Sequence, residues 1–358
     1  MKKSFSARAG EFVKNKYPVL LIIGSIIGLL FFWVSYKPAP EKIAPLEVKR
    51  EEVTRYFRVL DGKEVSSPDL VNPRVIAAVV ENAADAWPLT GLDQAPIVYE
   101  FLAEGRIPRL LTLFTQDDAF IKLGPIRSAR LYFLEALKPF DAIFMHVGGS
   151  PESLKKIKEY QIKDYDQFFW GDYYWREKTR YAPHNTFVSS EKVDELIEDW
   201  HIASVEYKGW NFKDSKKFTE EELTAQEKDE VIVNYTNNTY QAKYIFSPER
   251  NQYQRFQAKE EMLMSDGAQI WTDNLIVEEH PHQVLDSIGR RKIEMIGEGK
   301  AWVFRDGEKI ETTWKKDDIN SITRYFESDP NFYLDEGTEI ELNRGKTWIN
   351  IVEGGTFE

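Results

Sequence analysis

Cysteine is absent from all 358 residues. The chain therefore holds no disulfide, no thiol nucleophile, no Cys-ligated zinc and no cysteine that could carry a lipid. Histidine is sparse, five in all, and scattered without a His-Glu-x-x-His spacing or comparable cluster, so neither a metal nor a cofactor is expected. Positive charge is in deficit: 47 Lys and Arg stand against 59 Asp and Glu, a net charge of −12. Residues 1–16 alone carry +4, from Lys2, Lys3, Arg8, Lys14 and Lys16 against Glu11, which leaves −16 on the remainder. That balance argues against nucleic acid as a partner and against general binding to an anionic membrane surface, although arginines gathered in a pocket would be a local exception.

One long stretch has no charge at all, Tyr17 to Tyr36 (YPVLLIIGSIIGLLFFWVSY). At ~1.5 Å rise per residue it matches the ~30 Å of a bilayer's hydrocarbon core, and aromatic residues gather at its ends. A cleaved signal peptide is the competing reading, but the run exceeds the ~7–15 residues of such a segment and no small-x-small site follows it. The sequence thus predicts a membrane helix at 17–36. The basic tail, 1–16, stays cytoplasmic by the positive-inside rule and everything after the span lies outside. Pro38, Pro40 and Pro45 make 37–58 a semi-extended linker.

With 42% hydrophobic residues the chain can build a real core, of roughly two domains. Buried strands are expected at Val75 to Val80, Ile97 to Ala103, Arg109 to Thr115 and Ala142 to Val147. Helices are expected from Ala129 to about Lys138, capped by Ser128, from Pro151 to about Gln161, and from Glu191 to His201. Charged residues 211–230 read as a linker or insertion. Beyond them, three segment pairs read as hairpins: Val231 to Tyr235 with Tyr240 to Phe246, Ala301 to Arg305 with Lys309 to Trp314, and Glu339 to Asn343 with Lys346 to Val352. The fold class is α/β (α+β), a two-part sandwich whose second half is mostly antiparallel.

The chemistry-bearing residues cluster in three segments, Gly124 to Arg130, His146 to Pro151 and Arg180 to Asn185. Arg127 and Arg130, three apart on the expected first helical turn, would need an anion facing them. That anion is either a bound carboxylate or phosphate, or an internal partner such as Glu100, Glu104 or Glu135. His146 ends an apolar strand, where a structural role is usual, while His184 sits in a polar loop and suits ligand binding or proton transfer. Ser150 follows two glycines without forming a nucleophile elbow. Ser153 and Lys156 match Ser-x-x-Lys without the companion motifs of penicillin-recognising enzymes. Trp170, Tyr173, Tyr174 and Trp175 are either core or a platform for a sugar ring. The expectation is that Arg127, Arg130, His146, Ser150, Arg180, His184 and Asn185 converge on one concave site.

These segments, with Ile97 to Glu100, Glu104 to Arg109, Asp141, Tyr253-Gln254-Arg255, Asp266, Asn274 to Val277, Gly297 to Gly299, Asp306-Gly307, Trp314 to Lys316 and Thr347 to Ile349, resemble the YerB-like lipoproteins. That is a bacterial family of unknown function, and the likeness runs from about residue 60 to 355. It implies an envelope location, an N-terminal domain at 59–210, a β-rich C-terminal domain at 231–358 and no established catalytic residue. Three departures stand out: the membrane span in place of a lipid-modified cysteine, Arg106 where a second glycine is usual, and Gln257-Ala258-Lys259 after the Tyr-x-Arg. The resulting expectation is an outward-facing, non-catalytic envelope protein that binds an anionic ligand, a wall polymer such as peptidoglycan, or a wall-synthesis protein. The expected ligand-binding residues are Glu104, Arg127, Arg130, His146, Ser150, Arg180, His184, Asn185 and Arg255. Two alternatives remain: a wall-glycan hydrolase or transferase using Glu104 or His184, and a structural adaptor. Oligomeric state has no signal in the sequence.

Overall fold

The computed structural model describes residues 17–37, 54–225, 229–327 and 337–357. The chain divides into two compact units, Met1–Val53 and Thr54–Glu358. In the first, helix α1 (Tyr17–Ser35) runs 19 residues with no acidic residue in its first turn and no basic residue in its last. Its described side chains begin at Leu21 and are exposed apolar groups, Trp33 most of all. Over the stretch whose side chains are described, no helix is long and apolar enough to cross a membrane. The expected tail, 1–16, and most of the expected linker, 38–53, lie outside the described residues.

The second unit is built on a sheet to which both halves of the sequence contribute. Its strands in chain order are β1 (Val75–Glu81), β2 (Ile97–Leu102), β3 (Pro108–Thr115), β4 (Ile143–His146) and β5 (Lys163–Asp166). A smaller sheet is formed chiefly by β6 (Glu230–Asn234), β7 (Gln241–Ser247) and β8 (Gln252–Gln257). After it come β9 (Asn274–Glu279), the hairpin β10 (His282–Val284) and β11 (Arg291–Ile293), then β12 (Gly297–Arg305), β13 (Glu308–Lys316), β14 (Arg324–Glu327) and β15 (Thr347–Val352). The large sheet has ten strands in the order β14-β13-β12-β9-β15-β2-β3-β1-β4-β5. Pairing is parallel at β9/β15, β15/β2, β1/β4 and β4/β5 and antiparallel elsewhere. The carboxyl ends of β9, β15, β2, β1, β4 and β5 therefore lie along one edge, where open α/β sheets collect ligand-binding groups.

Continuous apolar runs make the central strands because both sheet faces are covered. Every residue of β1 and β15 is buried. Ile76, Ala78, Val80, Val98 and Val277 face the smaller sheet, whose Val231, Val233, Tyr244 and Tyr253 pack against them. Ala77, Val79, Tyr99, Phe101 and Ile349 face helix α2 (Leu131–Leu137), with Tyr132, Phe133 and Leu137 beneath them. Helix α3 (Pro151–Glu159) adds Ile157 to that layer, and α4 (Ser190–Trp200) adds Val193 and Leu196 to the other. In β7 and β8 burial alternates residue by residue, as a sheet with one wet face requires.

One expectation is corrected. The last expected hairpin does not form: Leu342–Asn343 pairs in parallel with Phe212–Lys213, and β15 sits centrally between β9 and β2. Its run TWINIV is buried on both faces, which a two-stranded hairpin cannot provide. Residues 211–230 include that short strand and a helix, Glu220–Ala225, with 226–228 outside the described residues.

Between the sheets lies a buried ion pair. The Arg255 guanidinium on β8 donates from Nη2 to both Glu100 oxygens on β2 (3.0 and 2.9 Å), and both side chains are 0% exposed. The carboxylate also accepts from Trp348 Nε1 at 3.1 Å and Asn82 Nδ2 at 3.3 Å, and Gln257 Oε1 accepts from Arg255 Nη1 at 2.8 Å. Trp348 lies under the guanidinium, ring centroid 4.8 Å away. Removing one member leaves the other charged and dry, a cost of about 3–5 kcal/mol. Arg255→Met should therefore lower unfolding free energy by that amount in urea titrations, and Arg255→Met with Glu100→Gln should recover part of it. A single-variant loss under about 1 kcal/mol would contradict the assignment.

Candidate binding face at the carboxyl edge of the sheet

The segment ahead of α2 is extended, not helical. Arg127 N donates to Val79 O (2.8 Å), Ala129 N to Gly148 O (2.9 Å) and Val147 N to Arg127 O (3.0 Å), so Gly124 to Arg130 is held between β1 and the loop after β4. Arg130 occupies the N-cap position with φ −135° and ψ 157°. Arg127 and Arg130 thus do not share a helical face, and extended backbone sends them to different partners.

Arg130 grips Glu104 with two guanidinium nitrogens, Nε to Oε1 and Nη2 to Oε2 (2.7 Å). Burial pushes the Glu104 carboxyl up, but the hydrogen bonds and charge of Arg130 prevail and hold it below the usual range. Arg109, the second residue of β3, adds another cation, Nη2 at 3.6 Å from Glu104. Burial, reinforced by neighbouring Arg130, pushes Arg109 down to about 10. Arg127 goes instead to Glu81 at the end of β1, with Nε 3.2 Å from Oε1 but not aligned as a hydrogen bond, and its Nη1 reaches Pro183 O at 3.5 Å. His184 Nδ1 lies 2.7 Å from the other Glu81 oxygen and, facing a carboxylate, carries the proton. Arg127 and His184, 57 residues apart, are thus brought together on one carboxylate that the sequence reading passed over. Three arginines here face two carboxylates.

The other expected site residues are occupied within the fold. His146 is fully buried, its Nδ1 on Gly148 O (2.8 Å), its Nε2 on Asp164 (2.7 Å) and its ring stacked on Phe144. Ser150 is the N-cap of α3, accepting from Ser153 N at 3.2 Å. Arg180 donates to Ala86 O (2.7 Å) and Pro88 O (2.8 Å), and Asn185 closes its own loop on Glu177 O and Arg180 O (3.4 Å each). Arg255, expected at a ligand, belongs to the dry core pair instead. The Ser-x-x-Lys pattern brings nothing together: Ser153 Oγ donates to Ala129 O and Lys156 pairs with Glu159. Glu135 lies among Lys316, Lys156 and Lys292, its carboxyl pushed up to about 7 by burial.

The expected aromatic platform is core as well. Tyr173 and Tyr174 are buried, and Trp170 packs edge-on against Tyr165 and Trp200. The barest aromatics of the second unit are Phe168 and Phe169, at 67% and 84%, and Tyr181 at 90%, with Trp200 at 57%. Phe168 follows the end of β5 and lies over Gly148, where φ is +59° and an added Cβ would sit 3.0 Å from the ring. His184 N donates to Tyr181 O (2.9 Å), and Arg176 ties the two loops by donating to Gln167 and Asn185. The Arg127 side chain thus reaches the loop that carries Tyr181, and its carbonyl pairs with Val147, next to the Gly148 that Phe168 covers. A cleft of about 770 Å³ lined by Asn72, Tyr207, Lys208 and Arg324 contains none of these residues.

The two arginines should respond differently to substitution. Arg130→Gln leaves the partly buried Glu104 with only the more distant Arg109 and should cost about 1–2 kcal/mol, whereas Arg127→Gln leaves Glu81 with His184 and should cost under about 1 kcal/mol. The pH dependence has a defined sign. A carboxyl held low in the folded state stabilises fully above its unfolded value, near 4.5, and that contribution disappears as pH falls through the folded value. Stability lost between pH 5 and 3 should thus be smaller in Glu104→Gln than in the parent, measured by urea unfolding at each pH. An equal loss would remove Glu104 from the account.

Comparison with known proteins agrees with this architecture. Residues 60–203 match the family described as "Protein of unknown function (DUF3048) N-terminal domain", and 231–349 match its C-terminal domain. The chain is 33% identical over 290 residues to "Putative lipoprotein YerB" of Bacillus subtilis (strain 168), covering 78% of this chain and 81% of that one. It also superposes on a crystal structure of YerB protein from Bacillus subtilis with a TM-score of 0.71 at 29% identity, covering 83% of this chain and 96% of that one. A shared sheet core, both domains in order and a third of aligned residues identical show that the chain belongs to the YerB-like lipoprotein family, whose function is unknown.

Proposed function

We propose that this is a cell-envelope protein, tethered through residues 17–36 with its second unit outside, which binds an anionic wall polymer or a protein that builds one without catalysing a reaction. The observation that carries the proposal is the position of Arg127. Its guanidinium is only loosely engaged, it belongs to a cluster with a cationic surplus in an acidic chain, and exposed Phe168, Phe169 and Tyr181 stand on the loops beside it. Guanidinium planes suit carboxylates and phosphates, and bare rings suit the apolar faces of sugars. The word lipoprotein in the relative's name supports an envelope location. With no cysteine to carry a lipid, the uncharged run of 20 residues is the anchor this sequence offers.

The hydrolase or transferase alternative rests on His184 and Glu81, a base with an orienting carboxylate. Glu104 does not help it, because Arg130 keeps that carboxyl ionised and unfit to donate a proton. The adaptor alternative draws on the bracing roles of Arg130, Arg180 and Arg255.

Two experiments test the proposal. A reporter fused after Glu358 should be active only outside the cytoplasm, with the protein fractionating uncleaved in membranes; a mature N-terminus beyond residue 36 would overturn the tether. In sedimentation with purified wall fragments, Arg127→Gln and Tyr181→Ala should each weaken capture about tenfold while unfolding midpoints stay put. Capture unchanged in both would overturn the binding face, and fragments cleaved by the parent but not by His184→Gln would favour the enzyme.

A further inference from the structure

The hairpin β10/β11 leaves the same carboxyl edge directly after β9. Its register sets His282 opposite Ile293 and Val284 opposite Arg291, so His282, Ile293 and Arg291 share one face, with His282 and Arg291 as diagonal neighbours. Ile293 is buried in the layer that contains Tyr132 and Phe133 of α2, so this face points into the protein. There, four polar atoms have no hydrogen-bond partner: Tyr132 Oη, Arg291 Nε, and both His282 ring nitrogens. The Arg291 side chain is 5% exposed and Tyr132 is 1% exposed. The nearest carboxylate to Arg291 is Glu353 after β15, at 3.8 Å and itself 54% exposed. Tyr132 also lies within the fields of Arg109, Glu104, Arg130 and Arg291.

Buried polar atoms in proteins are almost always partnered, by protein, water or an ion. Water could satisfy a hydroxyl, but it would not offset the charge of Arg291, whose carboxylate partner Glu353 is half-exposed. Burial, aided by Arg291, pushes His282 down to about 3, so the ring is neutral and can donate one hydrogen bond without adding charge.

We propose that Tyr132, His282 and Arg291 form a site for a small oxyanion of the phosphate type. Tyr132 Oη, Arg291 Nε and one His282 nitrogen donate to the oxyanion, and the Arg291 guanidinium supplies the counter-charge. The burial of Arg291 and Tyr132 favours a free ion over a phosphate that is part of a polymer. This site is independent of whether the outer face binds a wall polymer, because its probe is inorganic phosphate.

The test is calorimetric titration of the full chain in detergent with inorganic phosphate, against sodium chloride of equal ionic strength. One saturable site per chain is expected, weakened about tenfold or more by Arg291→Gln and by Tyr132→Phe. Tyr132→Phe removes a single oxygen and keeps the ring packed on Phe101, so it remains informative if Arg291→Gln fails to fold. Glycerol phosphate in place of phosphate should bind more weakly if the site is closed; tighter binding would overturn the free-ion assignment. No saturable heat in the parent, or phosphate affinity unchanged in folded Tyr132→Phe, would overturn the site.

Discussion

A guanidinium and a carboxylate that water cannot reach hold this molecule to one arrangement. Glu100 comes from the large sheet, Arg255 from the smaller one, and neither charge is tolerable without the other. Asn82, Gln257 and Trp348 complete the set, so residues from both sides of the charged stretch at 211–230 meet in one network. A second such tie lies nearby, where Asn350 Oδ1 on β15 accepts from Tyr235 and Tyr244. Apolar contact alone would let two sheets slide over one another. Paired charges and shared acceptors define a single register between them.

With the sheets locked, the six aligned strands deliver their ends to one edge. Charged residues there divide by how fully their partners use them. Arg130 and Glu104 satisfy each other, Arg180 is spent on two carbonyls, and His146 is enclosed on both nitrogens. Arg127, the exposed rings of Phe168, Phe169 and Tyr181, and the orphaned group beneath the β10/β11 hairpin are left over. Folding does not need these remainders in their observed form.

Much of the framework could be read from residue order. VIAAVV and the apolar run ending at His146 became strands because continuous burial on two faces leaves no periodicity to mislead, and the turns at Asn237-Asn238 and Asp306-Gly307 produced their hairpins. The segment at Lys346 to Val352 misled because Arg344-Gly345 resembles a hairpin turn, whereas its partners, β2 and β9, lie about 250 and 70 residues away in sequence. Arg127 and Arg130 misled for a related reason: helix-like spacing says nothing about the carbonyls of Val79 and Gly148 that hold the segment extended. Glu81 went unnoticed because a lone acid after six apolar residues looks like an ordinary strand end. Phe168 and Phe169 are adjacent to core aromatics and chemically indistinguishable from them, so only the fold separates the bare rings from the buried ones.

The central claim is that the carboxyl edge around Arg127 is the face that meets the envelope. Hydrogen exchange of the intact protein, with and without purified wall fragments, tests it most directly. The account predicts slowed exchange at the backbone amides of Phe168, Phe169, Tyr181 and His184, where bound ligand would shield the two loops. Protection confined to other surfaces, such as the exposed apolar tip at Val284, Leu285 and Ile288, would contradict it.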